Sequence, residues 1–505
     1  MSRPSTMPAD APRSDGIDRL GRSSRSTLLG SVVSAVLGFV VLLVLTNGLQ
    51  ADDAGVVLIA VAAANIAIGA AVLGTDAALV RFIAGAARGG AAGQTRRLTL
   101  IGVGPVAVVG SALGVLGWFG AGTLADLMVD GPVTPDYVDS MRVAALAVPA
   151  GAVSLSVLAA TRGMGSMAPT VWFDQILRPV IQTVALLVAV AVSAAAPGAT
   201  AAWLWPFAPV LIGSVVWLLR RAPHDSVDAA TVSAGRFWRF AMPQAGTGLL
   251  RVLIRWVDTL IVGALLGVGP AAIYTAATRL LKLGSIVNQA VFRASAPQIA
   301  EELSVGDHEA AQGLYRTSAN WLVVATWPLY LGCLVYAPTV LAMFGPEFVD
   351  GADAVRILAV AMLVASACGP VESVLVMGGR SSLNLLNNTA ALAADVGFAL
   401  LLIPHWGIEG AAVAWAISVG FTNLLPLIQV ARDIGIQPFD AVMARSTAGL
   451  CSAFALAWVL HTTVGDGAVS FVVSAGVAGA VAAGLMWRRR DELALSQLVA
   501  AGPTP

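Results

Sequence analysis

Charge is what this sequence lacks. Only 11% of its 505 residues are Asp, Glu, Lys or Arg, against about 25% in an average soluble protein. A larger core cannot absorb so wide a gap, which excludes a soluble enzyme. A hydrophobic fraction of 57% excludes a disordered chain. The formal charge is +0, from 29 basic and 29 acidic residues, so the chain is no nucleic-acid binder either. Cysteine is scarce: Cys333, Cys368 and Cys451 all fall in apolar stretches, with no disulfide framework and no CxxC site. The four histidines, His224, His308, His405 and His461, are isolated. No metal site and no cofactor are therefore expected. Lysine is almost missing, since all but one of the 29 basic residues are arginine. With so much Ala, Gly and Val, that bias reflects a GC-rich genome more than chemistry. Lys282 stands alone.

Long hydrophobic runs are present instead, and the mean hydropathy is +0.82. A helix needs about 20 apolar residues to cross the hydrocarbon layer. The sequence predicts about fourteen such helices, near 26–48, 55–75, 98–120, 142–161, 168–194, 200–219, 240–266, 271–296, 317–344, 353–378, 384–403, 407–431, 442–462 and 467–487. The expected fold is thus an all-α polytopic membrane protein. Residues 1–25, rich in Ser, Pro and Arg, read as a disordered tail. The first apolar run is too long for a signal-peptide core and has no small-residue cleavage site, so it reads as a retained span.

Arginine placement gives the orientation. Arg3, Arg13, Arg19, Arg22, Arg25, Arg88, Arg96, Arg97, Arg220, Arg221, Arg236, Arg239 and Arg488 to Arg490 fall in tails or alternate loops on one side. The other side holds Arg142 and Arg356 among Asp52, Asp53, Asp126, Asp130, Asp136, Asp139, Glu347 and Asp350. Both termini are expected in the cytoplasm, which requires an even number of spans. The polar linker 222–239 separates a six-helix lobe at 26–221 from a second at 240–435. A two-helix hairpin at 436–490 and a cytoplasmic tail at 491–505 follow. The connection 297–316 reads as an amphipathic surface helix with Ile299, Leu303, Ala310 and Leu314 on its apolar side. A shift of 217 positions lays the second half weakly over the first, pairing LQADDAG (49–55) with LGVGPAA (266–272). Parallel repeats of this kind suggest two lobes around a central cavity.

An ionisable side chain at mid-span costs about 2.5–3.5 kcal/mol. The seventh span carries Arg251, Arg255 and Asp258 at spacings of four and three, one stripe on a helix. The eighth adds Arg279 and Lys282. Five such groups sum to about 12–18 kcal/mol of gross insertion cost, which a purely structural core has no use for. One reading is a water-filled cationic cavity. The other is an Arg255–Asp258 salt bridge, with the remaining cations snorkelling to headgroups. Arg81 and Arg293, nearer the cytoplasmic edge, suit snorkelling. In the fifth span Asp174 and Arg178 are four apart and are expected to pair. Glu372 sits near a cytoplasmic end. Asp395 is the acid near mid-membrane with no basic residue in its own span. It either couples transport to a proton or sodium ion, beside Asn387 or Asn388, or pairs with a cation such as Arg178.

Several motifs resemble a known family. FAMPQAG (240–246), RWVDTLIVGALLG (255–267) and AIYTAATRL (272–280) resemble the start of the second lobe in bacterial polysaccharide flippases. These belong to the multidrug/oligosaccharidyl-lipid/polysaccharide exporter superfamily. FGPEF (344–348), RIL (356–358), GGR (378–380), LIPHWGIEGAAVAWA (402–416) and, in the first half, GTDAALVRFIAG (74–85) fit in order. The resemblance implies alternating access by two lobes, with spans 1, 2, 7 and 8 lining the cavity. It implies a bacterial cytoplasmic membrane and a polyprenyl-diphosphate-linked oligosaccharide as cargo. Arg251, Arg255, Arg279 and Lys282 would bind its headgroup, and Asp258 and Asp395 would serve ion coupling. Membrane lipids, a polysaccharide polymerase and glycosyltransferases are the expected partners. The extra helices 13 and 14 resemble those of lipid II flippases. One departure is that the first span has no basic residue beyond its start.

Three rival functions remain. A drug/cation antiporter of the same superfamily would present buried acids and aromatics to its cargo, whereas spans 7 and 8 hold more cations than acids. A membrane glycosyltransferase or polymerase would need an acidic metal motif in a sizeable domain, and the loops are too short for one. The third is a non-transporting scaffold of a polysaccharide assembly complex.

Overall fold

The structure is a computed structural model that describes residues 13–88, 92–222, 232–464, 473–477, 479–481 and 483–484. Its first half comprises α1 (Arg13–Gly48), α2 (Ala51–Ala71), α3 (Thr75–Arg88), α4 (Thr95–Phe119), α5 (Ala121–Met128), α6 (Pro135–Gly163), α7 (Arg178–Ala191), α8 (Ala196–Leu204) and α9 (Phe207–Arg221). The second comprises α10 (Ala234–Leu266), α11 (Val268–Lys282), α12 (Gly284–Val305), α13 (His308–Leu341), α14 (Ala352–Ala367), α15 (Val371–Met377) and α16 (Ser381–Asp433), with α17 (Ala441–Val464) beyond it. No strand occurs among the described residues. Among the described residues, nine helices, or ten with the bent α14–α15 pair counted, are long and apolar enough to cross a membrane.

The difference from fourteen has physical sources. Two expected spans are α10 and the α11–α12 pair, whose charges take them out of the apolar class. Two more are fused in α16, where Gly407 (φ 59°, ψ −138°) breaks an otherwise continuous helix. Asn387 and Gln429 exchange amide hydrogen bonds of 2.8 and 3.0 Å. The arms of α16 therefore lie antiparallel, folded at Gly407. Most of the fourteenth expected span, 467–487, and the tail 491–505 lie outside the described residues.

Two expectations near the chain surface are corrected. Helix α1 begins at Arg13, inside the stretch read as a disordered tail, and its apolar part, Gly30–Gly48, matches the first expected span. The single amphipathic helix expected at 297–316 is two helix ends. Gly306, at φ 79°, closes α12, and the Asp307 carboxylate accepts from Ala310 N at 2.9 Å to cap α13. Ile299 and Tyr315 on either side of this break are fully buried in one cluster with Val374 and Leu375.

Prolines account for other breaks. The fifth rod opens with a π-helical segment, Thr170–Leu177, which gives way to α7 just before Pro179. Proline has no N–H to give the carbonyl four residues back, so the ladder loses its normal register there. Pro206 separates α8 from α9.

The offset of 217 recurs in the helix boundaries. Ala51 and Val268 open α2 and α11, Arg88 and Val305 close α3 and α12, and Pro135 and Ala352 open α6 and α14. Between the halves lies α2, whose residues Val57 to Ala62 have no exposed surface. It packs on α6 and α8 of its own half and on α10 and α11 of the other. Lipid provides no hydrophobic drive for helix association, so close approach depends on small residues. At Gly55 a methyl group would overlap the Val268 carbonyl. At the other end of the same seam Gly74 (φ +70°) lies against the backbone of Ala241 and Ala245. Helix α2 thus runs antiparallel to the second part of α10, with Gly69 against Val252 and Gly263 against Ile59.

Candidate functional site

Helix α10 lies where the two halves meet, against α2 and α3 of the first half and α11 and α16 of its own. Exposure falls along its charged stripe: Arg251 and Arg255 are exposed, while Asp258 is 4% exposed. Arg251 and Asp258 are seven residues apart and face nearly the same way. The stripe therefore runs from an exposed stretch of α10 into the packed seam. Beyond Asp258 the seam is closed, with Ile59 of α2 and the Met128 carbonyl against Gly263.

Asp258 is held by its own neighbours. Thr259 N donates to Oδ1 at 2.8 Å, and the buried Tyr274 hydroxyl donates to Oδ2 at 3.4 Å. The hydroxyls of Thr259 and Thr275 meet at 3.3 Å, fixing α10 against α11. One and two turns further on, α11 presents its cations, Arg279 and Lys282. The Arg279 guanidinium lies 4.4 Å from the centre of the Trp256 ring. Lys282 Nζ donates to the main-chain carbonyl of Arg255 at 3.5 Å.

From the third helix, α16, comes Asp395, which is 4% exposed. It lies within electrostatic range of Asp258 and Lys282, and Lys282 within range of Arg255 and Arg279 as well. The structure thus gathers Arg255, Asp258, Arg279, Lys282 and Asp395 into one group. Arg251 stands one turn away along α10, about 6 Å nearer its start. Among the described residues the Arg255–Asp258 ion pair weighed from sequence does not form; Arg255 is exposed and Asp258 is buried.

Asp174 and Arg178 form a salt bridge of 2.9 Å in the first half, with Arg178 over the Phe207 ring at 5.0 Å. This pair is not part of the group, and Arg178 is not the partner of Asp395. Asn387 is also apart from Asp395. Both of its amide atoms are used by Gln429, and eight residues separate the two by about 12 Å along the helix. Glu372 accepts from Asn384 at 2.8 Å. Arg81 stacks on Phe240 at 4.4 Å.

Sequence reasoning missed Trp256, Tyr274 and Arg162. Tyr274 lies inside the AIYTAATRL motif and Trp256 beside Arg255, so proximity to charge was the available signal. Arg162, which donates to Thr170 at 3.4 Å and feels the charges of Asp76 and Asp174, had none. With two carboxylates and three close cations, the group suits an anion better than a multivalent metal. Among the described residues no set of three His, Cys, Asp or Glu side chains could hold a metal ion.

Comparison with known proteins agrees with this architecture. The chain is 26% identical over 223 residues to a probable flippase, AglR, of Haloferax volcanii, a match spanning 42% of this chain and 45% of that one. It spans less than half the length of that curated relative. The structure resembles the lipid II flippase MurJ in an inward closed conformation, with a TM-score of 0.72 at 11% identity, covering 93% of this chain and 99% of that one. It also resembles an inward-facing multidrug resistance MATE family transporter of the MOP superfamily, with a TM-score of 0.67 at 15% identity, covering 83% and 98%. The fold is that of MOP-superfamily transporters. The sequence profile of the family described as polysaccharide biosynthesis protein matches residues 20–302, more than half of the chain, and the protein belongs to that family.

Proposed function

We propose that the protein carries a polyprenyl-diphosphate-linked oligosaccharide across the bacterial cytoplasmic membrane by alternating access, for export of a surface polysaccharide. The observation that carries this reading is the set of cations at the seam. Arg251, Arg255, Arg279 and Lys282 oppose Asp258 and Asp395, which leaves a formal charge of +2 on the group. Among the described residues none of the four is consumed by a carboxylate ion pair. A diphosphate diester carries about two negative charges and would neutralise the group. A phosphate oxygen about 4 Å from one such cation gains on the order of 4 kcal/mol at an effective dielectric of 20.

In this reading the arginine-rich end, where both termini belong, faces the cytoplasm. The headgroup enters along Arg251 and Arg255 and rests against Arg279 and Lys282. Asp258 and Asp395, on separate helices, bind a proton or sodium ion whose passage drives the return. The protein acts as a transporter and catalyses no bond chemistry, beside glycosyltransferases and a polymerase that make and extend the glycan.

The deciding experiment uses proteoliposomes. A fluorescent polyprenyl-diphosphate oligosaccharide in the inner leaflet should become accessible to an external quencher only with the intact protein. Movement of a cationic dye in its place would favour the antiporter. Movement of neither, with the protein correctly inserted, would favour the scaffold.

A further inference from the structure

The two halves touch at both ends of the seam, and at the start of α10 Phe82 lies against Phe237 and Phe240. Among the described residues, three hydrogen bonds cross between them at the acid-rich end, beyond the packed seam. Asn47 Nδ2 donates to the Met343 carbonyl at 2.8 Å. Glu347 Oε2 accepts from Ala51 N at 3.4 Å. Asp130 N donates to the Gly263 carbonyl at 3.2 Å. Beneath them Phe39 of α1 meets Phe344 edge-on at 5.5 Å, and Phe344 lies against Phe348.

The Glu347 contact has a clear physical basis. The first N–H groups of a helix have no partner inside it, and that end carries partial positive charge. At α2 the preceding residue, Gln50, makes no side-chain cap. A carboxylate from the other half, 296 residues away, supplies it instead. Asn47, Met343 and Glu347 are all exposed, while Phe344 and Phe348 beneath them are buried. Solvent-exposed polar contacts above a dry aromatic layer separate at small cost, because water replaces each lost bond.

We infer that Asn47 and Glu347 form a latch that holds the acid-rich end shut, and that it must release for cargo to leave on that side. The latch rests on the alternating-access reading but not on the identity of the cargo. The 3-10 turn Ala342–Phe344 packs on α1, and the next turn, Pro346–Gly351, packs on α11, α13 and α14 of its own half and reaches α2 through Glu347.

The test measures opening without any cargo. In a chain with Cys333, Cys368 and Cys451 replaced, Ile59→Cys places a thiol under the seal, where Ile59 has no exposed surface. Asp130→Cys serves as the accessible control. An impermeant maleimide applied to intact cells should label Ile59→Cys slowly. Adding Glu347→Gln with Asn47→Ala should raise that rate by about fivefold or more, the equivalent of about one net hydrogen bond. An unchanged rate overturns the latch. Should Ile59→Cys disturb folding, a second arm uses Asn47→Cys with Met343→Cys. Full cross-linking should abolish transport and reduction should restore it; normal transport by the cross-linked protein overturns the proposal. If labelling rises while no lipid-linked glycan moves in proteoliposomes, the latch stands and the cargo assignment falls.

Discussion

Lys282 donates its ammonium to the main-chain carbonyl of Arg255 at 3.5 Å, which ties the end of α11 to the middle of α10. A lysine that bonds a carbonyl instead of a carboxylate keeps its full charge for another anion. Lys282→Met should therefore abolish transport while leaving membrane-inserted protein at normal levels. Lys282→Arg should retain part of it, since charge is kept and geometry is not. Surface glycan staining together with an immunoblot of the membrane fraction checks both.

Arg279 rests on the face of Trp256 at 4.4 Å. Such contacts are worth about 0.5–2 kcal/mol. Trp256→Phe should be mild. Trp256→Leu should release the guanidinium and weaken headgroup capture several-fold, with a smaller effect on thermal stability in detergent. Normal glycan export by an Arg251→Gln/Arg279→Gln double variant would sink the headgroup site as a whole.

Asp258 and Asp395 reach the same group from α10 and α16. Asp395→Asn should leave insertion and headgroup binding intact and remove the dependence of transport on an ion gradient. Arg178 offers no rescue, because its partner is Asp174 at 2.9 Å. Arg178→Gln alone should strand that carboxylate and destabilise the protein by a few kcal/mol, whereas Asp174→Asn with Arg178→Gln should recover most of the loss. Thermal melts of Arg178→Gln and of the double variant test the bridge, and proteoliposome transport with and without an ion gradient tests Asp395→Asn.

Glycine substitutions separate close packing from backbone flexibility. Gly55→Ala would press a methyl group into the Val268 carbonyl, whereas Gly397, in α16, has open space around it. Gly55→Ala should lower the melting temperature and block the closed seam. Gly397→Ala should raise stability by about 0.5–1 kcal/mol through helix propensity.

Orientation has its own check. A cysteine at Asp130 in a chain without other cysteines should react with an impermeant maleimide on intact cells, and one at Asp228 should not. The reverse pattern would invert the proposed direction of transport.

Local spacing and composition decided a good deal here. Apolar runs announced the helices, the charged stripe of α10 stood out from its neighbours, and the offset of 217 foreshadowed the paired openings of α2 and α11. The Asp174–Arg178 bridge followed from a spacing of four. What spacing could not supply was the rotation of each helix about its axis. In a soluble protein the polar face reports that rotation, but here lipid-facing and core-facing sides are both apolar. So Arg255 and Asp258, three apart, looked like a pair, while tertiary packing left one exposed and buried the other. Likewise Asp395 looked solitary until α16 folded at Gly407 and laid its first arm beside α10. That placement depends on which small residues let backbones meet, as Gly55 does at Val268. Such contacts are steric facts between distant segments, and only the assembled bundle brings them about.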